Sequence, residues 1–309
     1  MKLIPYGKQY IDREDLKFVT NALKRDKITT GEIVKEFENK ITNFLKCRYS
    51  VTCNSGTSAL FIALQSIEIK KDDILIMPSI NFISSYNVAK ILGAKIFLAD
   101  VNRFTGQMSP KDVIDCCKKF KLKKIKAIIT MYNGGYPNEI ENFFKLKKKL
   151  KCFIIEDACH ALGASYKANG RIQMVGSCKH SDISTFSLHP LKTITTGEGG
   201  IVTTNNKKIR DKLEVFRSLG IQRSRKKHWK YDVLKNGMNF RLTDFQCALG
   251  ISQLKKIKKF ISKRKKIFNY YSDKLKNNNF FSVPQNFKDS YPSYHLYLIN
   301  LKTKNLKLK

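Results

Sequence analysis

Apolar residues recur at helical spacing at the start of the chain and in short unbroken blocks after it. Leu16, Val19 and Leu23 share one face of a helix that Asp12 can cap and that runs to about Lys24. Gly31 precedes a second helix, in which Val34, Phe37, Ile41 and Phe44 line one side. From residue 49 the period changes. YSVTC (49–53) is a short buried block that runs straight into NSGTSALFIALQSI (54–67), turn and cap residues followed by an apolar helix. The unit repeats as ILIMP (74–78) with a helix from about Ile83, KIFLAD (95–100) with a helix after Ser109, KAIITMY (126–132) with a helix after Pro137, and CFIIEDA (152–158) with a turn. Strands alternating with helix-length segments predict a parallel sheet covered by helices on both faces, an α/β fold. Ligands of such sheets bind beyond the carboxyl ends of the strands.

After Gly163 the order changes. SDISTFSLHP (181–190) and GGIVTTN (199–205) read as strands joined by a Gly- and Thr-rich loop, and a helix follows from about Lys207 to Ser218. A basic polar loop then runs through about Asn236, and from Leu242 the chain reads as helical for some thirty residues. SYHLYLINLK (293–302) reads as one strand of a further sheet, which cannot stand without partners. We therefore expect a large domain over residues 1–250 and the start of a smaller, incomplete α+β domain over 251–309, with the chain stopping inside it.

Composition narrows the function classes. The 309 residues are 42% hydrophobic and 11% aromatic, enough for a substantial core. No apolar stretch approaches the ~20 residues that cross a bilayer, and MKLIPYGKQYIDRED turns polar too early for a signal peptide, so a cytoplasmic protein without a membrane span is expected. Eight cysteines, single apart from Cys116-Cys117 and without CxxC or paired-His spacing, argue against structural zinc, other metal sites and a disulfide framework. The formal charge of +34 brings nucleic acid to mind. However, 48 of the 59 basic residues are Lys, spread over segments such as KLKKIK and KLKKKLK, which reads as solvated helix faces rather than base readout. The field would still attract a polyanionic substrate.

Candidate chemistry lies at the strand ends. Asn54-Ser55-Gly56-Thr57-Ser58 places small residues at a helix N-terminus, where a phosphate is favoured; an ordinary cap has the same sequence. Neither GxGxxG nor GxxxxGK[ST] occurs, so dinucleotide and triphosphate loops lack support. Asp157 ends an apolar run and suits a cationic ring nitrogen, although a turn cap would do; Glu156, on the opposite strand face, suits a structural role. His160 returns to the same region if a helical turn follows. In SLHPLKTITTGEGG (187–200) Lys192 is flanked by apolar residues, a setting in which desolvation makes an amine nucleophile.

The motifs NSGTSAL, EDACHALGA, FSLHPLKTITTGEGG and NFRLTDFQCALGISQL, in this order, resemble the fold-type I pyridoxal-phosphate enzymes and, within them, the sugar-nucleotide aminotransferases of the DegT/DnrJ/StrS group. The resemblance runs from Pro5 to about Tyr297. IPYGKQYIDREDL, KITTG and GSCKHSDISTFSLHPLKTITTGEGG are most similar to members serving pseudaminic acid synthesis, which aminate C4 of a UDP-linked 4-keto-6-deoxy-N-acetylhexosamine. The resemblance implies a three-layer α/β large domain with a mostly parallel sheet, pyridoxal 5'-phosphate as cofactor, a nucleotide-sugar substrate, glutamate as amino donor, and an obligate homodimer.

It also implies residue roles. Lys192 matches the Schiff-base lysine, which also moves the proton between substrate and cofactor. Asp157 matches the partner of the pyridinium nitrogen, and His160 the contact to the ring 3-oxygen, where other members carry Gln. Phe82, in SINFISSYN, fits the ring-stacking aromatic, although a core Phe would look the same. Gly56, Thr57 and Ser187 match phosphate contacts, and Asn239 a residue reaching the phosphate of the other subunit; Gly56, Ser187 and Asn239 extend toward the substrate. Tyr6 and the loop Lys27-Ile28-Thr29-Thr30 match further substrate-contacting positions. Three other readings compete: a dehydratase of the same family, in which the lysine is replaced; a cofactor-binding paralogue without catalysis; and a basic nucleic-acid-binding protein. The presence of Lys192 favours transamination over dehydration.

Overall fold

The computed structural model describes residues 5–224, 227 and 229–302; Ile4, which opens IPYGKQYIDREDL, lies outside them. The N-terminal helices form where their caps predict, but the expected Leu16, Val19 and Leu23 face of the first is not its buried one: Leu16 and Leu23 are exposed, and Asp15 and Ala22 are the buried positions. Asp12 caps α1 (Arg13–Leu23), accepting from the N–H groups of Glu14 and Asp15, and Asp15 returns a carboxylate to the N–H of Asp12. Gly31 opens α2 (Glu32–Leu45), whose Val34, Phe37 and Ile41 are buried.

The expected alternation follows: β1 (Tyr49–Cys53), α3 (Gly56–Ser66), β2 (Ile74–Pro78), α4 (Ser84–Ile91), β3 (Lys95–Ala99), α5 (Pro110–Lys119), β4 (Ala127–Met131), α6 (Ile140–Leu150) and β5 (Phe153–Asp157). A hairpin of β6 (Ser165–Ala168) and β7 (Arg171–Met174) then precedes β8 (Ile183–Ser187), β9 (Gly200–Thr204) and α7 (Lys207–Arg217). The main sheet has the order β1-β9-β8-β5-β4-β2-β3. Six strands run one way, and β9 alone opposes its neighbours β8 and β1. The twelve-residue connection 188–199 contains no helix, and without a crossover helix the chain returns antiparallel.

Strand alternation divides the core in two. Leu75, Met77, Ala127, Ile129 and Ile155 face α3, α4 and α7, whereas Ile76, Ile128 and Ile154 face α5 and α6. Further along that second side, α2 packs with α8 (Asp244–Lys255). The result is a three-layer α/β/α unit in which the carboxyl ends of the six strands that run one way share one edge, and α9 (Ile257–Leu275) leaves α8 at Lys256, which closes α8 with a ψ of −3°.

Three segments differ from the sequence reading. The turn after CFIIEDA holds the β6–β7 hairpin, turned by Asn169 and Gly170, both with positive φ, a two-residue Asn-Gly signal. The basic polar loop contains a short hairpin, β10 (Ile221–Arg223) against β11 (Tyr231–Val233). SYHLYLINLK is not a continuous strand: beyond β12 (Phe281–Ser282) and β13 (Ser290–Tyr291), only Asn300–Leu301 pairs, as β14 with β12. Its alternation fails because Tyr294 adopts φ +54°. The N–H groups of Ser293, His295 and Leu296 then turn to the carbonyls of Gly134 and Gly135 instead of a neighbouring strand. No helix among the described residues is long and apolar enough to cross a membrane.

Candidate active site

Residues following β1, β2, β4, β5 and β8 line one cavity of about 700 Å3 at the carboxyl edge of the sheet. Asp157 ends β5 and is 2% exposed; it accepts from Ser85 Oγ at 3.0 Å and from the Cys159 N–H at 3.3 Å. None of the ion pairs among the described residues includes it. Glu156 points to the other face, where it accepts from the hydroxyls of Tyr132 and Ser184 while burial pushes its carboxyl up.

Lys192 lies in the connection after β8, which is tied at both ends. Thr195 Oγ1 and Thr196 N–H donate to the Leu188 carbonyl, Lys192 N–H donates to the His189 carbonyl, and Leu188 N–H donates to the Gly199 carbonyl. Burial holds the Lys192 ammonium below the usual lysine range; Cys159 and Asp157 oppose the shift and Arg264 adds to it. A buried amine with a depressed pKa beside a buried carboxylate is a pairing found at reactive sites.

The N-terminus of α3 forms a third wall. Ser55 caps it through Ser58 N–H, leaving the first helical N–H groups, those of Gly56 and Thr57, without intrahelical acceptors. Gly56 lies against the end of β8, where a Cβ would stand 2.8 Å from Ser187 Cβ. Phe82, 68% exposed at the mouth, and Tyr6, 85% exposed, offer flat open faces to the same space.

His160 and His295 complete the cavity with ring centroids 4.3 Å apart. Burial lowers His160 to about 3 with a further push from Lys192, and His295 to about 2 with contributions from His160, Lys192 and Arg264. Both rings are therefore neutral near pH 7. His160 Nδ1 accepts from Gly134 N–H at 3.4 Å, and His295 Nδ1 faces the donor-only guanidinium of Arg264 at 3.3 Å. Each ring thus carries its proton on Nε2.

Of the residues singled out in the sequence, the structure gathers Tyr6, Gly56, Thr57, Phe82, Asp157, His160, Ser187 and Lys192 around one cavity. It leaves Lys27, Ile28, Thr29, Thr30 and Asn239 outside that cavity. The loop of Lys27 to Thr30 is fastened to α8 through the Ile28 carbonyl and a Thr29 to Thr243 bridge, and Asn239 pairs with Ser218 beside α7. Sequence reasoning missed Ser85, His295 and Arg264. His295 left a trace as a rare histidine in an aromatic run; Arg264, one cation of SKRKKIF, left none.

A family model for the DegT/DnrJ/EryC1/StrS aminotransferases matches residues 9–309. The chain is 38% identical over 301 residues to a UDP-4-amino-4,6-dideoxy-N-acetyl-beta-L-altrosamine transaminase of Campylobacter jejuni subsp. jejuni, covering 97% of this chain and 77% of that protein. It is 33% identical to a GDP-perosamine synthase of Escherichia coli O157:H7, covering 98% and 79%. The fold superposes with a TM-score of 0.89, at 31% identity, on Helicobacter pylori PseC, described as an aminotransferase involved in the biosynthesis of pseudoaminic acid, covering 98% and 79%.

Proposed function

We propose, since the chain belongs to the DegT/DnrJ/EryC1/StrS aminotransferase family and is a pyridoxal-phosphate-dependent transaminase, that it aminates C4 of a UDP-linked 4-keto-6-deoxy-N-acetylhexosamine with glutamate as donor. The observation that carries the site assignment is Asp157, a buried carboxylate that no ion pair among the described residues neutralises, in the cavity that also holds the buried amine of Lys192.

The residues fit each part of the cofactor. The uncapped N–H groups of α3 and the hydroxyls of Thr57 and Ser187 suit a phosphate, and Gly56, with no Cβ to meet Ser187, lets the start of α3 lie close to the Ser187 hydroxyl. Asp157, held by Ser85 and Cys159 N–H, suits a protonated ring nitrogen; His160 Nε2–H suits the ring 3-oxygen; the open face of Phe82 suits the ring plane. Bound there, pyridoxal 5'-phosphate supplies an electron sink and a carrier for the amino group. The protein does the rest. Lys192 Nζ, whose burial disfavours the ammonium form, takes a proton from the donor α-carbon and delivers one to sugar C4. Asp157 would offer its carboxylate to the ring nitrogen, and the neutral histidines provide donors without adding a competing cation.

The Campylobacter relative's name supports a UDP-linked sugar, and the perosamine synthase's name supports a GDP-linked one as the second reading. Exposed Ile80 and Phe82 at the cavity mouth, with exposed Ile83 next to them in sequence, support cover by a second subunit, to whose site Asn239 contributes. Purified protein given glutamate and UDP-, GDP- or dTDP-linked 4-ketosugars is expected to aminate the UDP sugar fastest. Turnover of the GDP sugar alone would overturn the nucleotide assignment, and failure of glutamate with success of another amino acid would overturn the donor.

A further inference from the structure

The α9 segment Lys263-Arg264-Lys265-Lys266 places four cations in a row, and only Arg264 turns inward; the three lysines are exposed. Its guanidinium meets no carboxylate among the described ion pairs. One arm donates to the carbonyls of Lys192 at 3.0 Å and Leu191 at 3.4 Å, and the other faces His295 Nδ1 at 3.3 Å. Backbone carbonyls and a neutral imidazole satisfy the donors without neutralising the charge. A half-buried cation beside an amine is costly as mere packing, because it repels the ammonium form of that amine. The fork also joins segments distant in sequence: α9, the connection after β8, and the segment bearing His295, whose ring lies tilted against that of His160.

We propose that Arg264 is the positioning residue of Lys192: its fork, anchored on the Leu191 and Lys192 carbonyls and on His295 Nδ1, fixes where the lysine amine stands and ties the C-terminal segment to it. The proposal rests on Lys192 being the reacting amine. A lysine at position 264 would keep the charge but present one point donor in place of a planar five-donor fork, so it could not hold both the carbonyls and the imidazole. The titratable groups that act on Lys192 are Asp157 at the end of β5, Cys159, His160, His295 and Arg264 itself, and His189 and Glu198 line the same cavity. Removing Arg264 takes away the cation that disfavours the ammonium form and opens the loop to water, so both effects raise the lysine's midpoint.

The test is competitive acetylation of the cofactor-free full chain from neutral to alkaline pH, with peptide mapping of Lys192 and of Lys179 as internal control. Arg264→Met is expected to move the Lys192 midpoint upward and to slow its acetylation near neutral pH by about threefold or more, with Lys179 unchanged. In the cofactor-loaded enzyme, Arg264→Met and Arg264→Lys should both lower kcat at least about tenfold while KM for the ketosugar stays within about twofold. A wild-type Lys192 midpoint in folded Arg264→Met overturns the proposal. Should that variant fail to fold, wild-type kcat and a wild-type Lys192 midpoint in Arg264→Lys overturn it, because the fork would then be dispensable. Absence of aminotransfer by the wild type would sink the proposed function, yet leave the acetylation readout intact, so the two failures are distinguishable.

Discussion

Replacing Gly56 by Ala separates a phosphate site from a plain helix cap. The added Cβ would stand 2.8 Å from Ser187 Cβ and 3.4 Å from Ser187 Cα, atoms next to the β8 backbone that cannot swing aside. Carbon contacts settle at about 3.5–4.0 Å, so the start of α3 must withdraw from the end of β8 by about 1 Å. Two terms oppose each other in the fold: overpacking costs about 1–3 kcal/mol, and alanine gains up to about 1 kcal/mol over glycine in a helix. The cofactor-free protein should therefore lose about 0–3 kcal/mol. Phosphate binding has no such offset. A hydrogen bond to a charged group contributes about 1.5–3 kcal/mol, and a 1 Å withdrawal forfeits most of one or more. Cofactor affinity should fall about 10- to 100-fold. Titration of cofactor-free protein with pyridoxal 5'-phosphate, followed by absorbance, gives the affinity, and thermal unfolding without cofactor gives the stability. Unchanged affinity in a folded variant would show that the phosphate is bound elsewhere.

Four further outcomes are expected. Lys192→Ala should leave no lysine that borohydride can tag in the cofactor-loaded protein, whereas mapping of the wild type should find the tag on Lys192; a tag on Lys179 would refute the assignment. Asp157→Asn should retain some cofactor but lose at least about 100-fold in aminotransfer, since a neutral amide cannot hold the ring nitrogen protonated, and a wild-type rate would reduce Asp157 to a turn cap. For His160 the folded pKa of about 3 lies below the ordinary 6.5, so the unfolded chain binds the extra proton and stability falls as pH drops through that window. His160→Gln should flatten that part of the stability profile of the cofactor-free protein, and an unchanged acid slope would show that His160 titrates normally. Mixing Asn239→Ala with Lys192→Ala subunits should restore activity above either parent, because one site of the mixed dimer collects both defects and the other is intact; subunit exchange without recovery would place Asn239 in its own chain's service.

Local order was legible because it is written in short spacings. Asp12 and Ser109 cap the helices they precede, and the apolar blocks at 49–53, 74–78, 95–99, 127–131 and 153–157 are strands, since cap chemistry and periodicity act within a few residues. The motifs around Gly56, Asp157 and Lys192 lie at or shortly after strand ends, and it was their resemblance to the family's motifs that implied one cofactor chemistry. The Asn169-Gly170 hairpin was equally local and was overlooked.

What the tertiary structure decided depends on contacts between segments far apart in the chain. The place of β9 between β8 and β1 follows from pairing across some 150 residues of sequence. The Ser293 to Leu296 stretch has a strand-like pattern, but the carbonyls of Gly134 and Gly135 compete for its N–H groups and win once Tyr294 turns to positive φ. Arg264 is indistinguishable in sequence from the lysines beside it, and only the approach of α9 to the Lys192 connection gives its fork carbonyls to hold. Periodicity reports which face of an element is apolar; which distant polar group meets that face is settled when the layers pack, because only then does burial force every donor to find an acceptor.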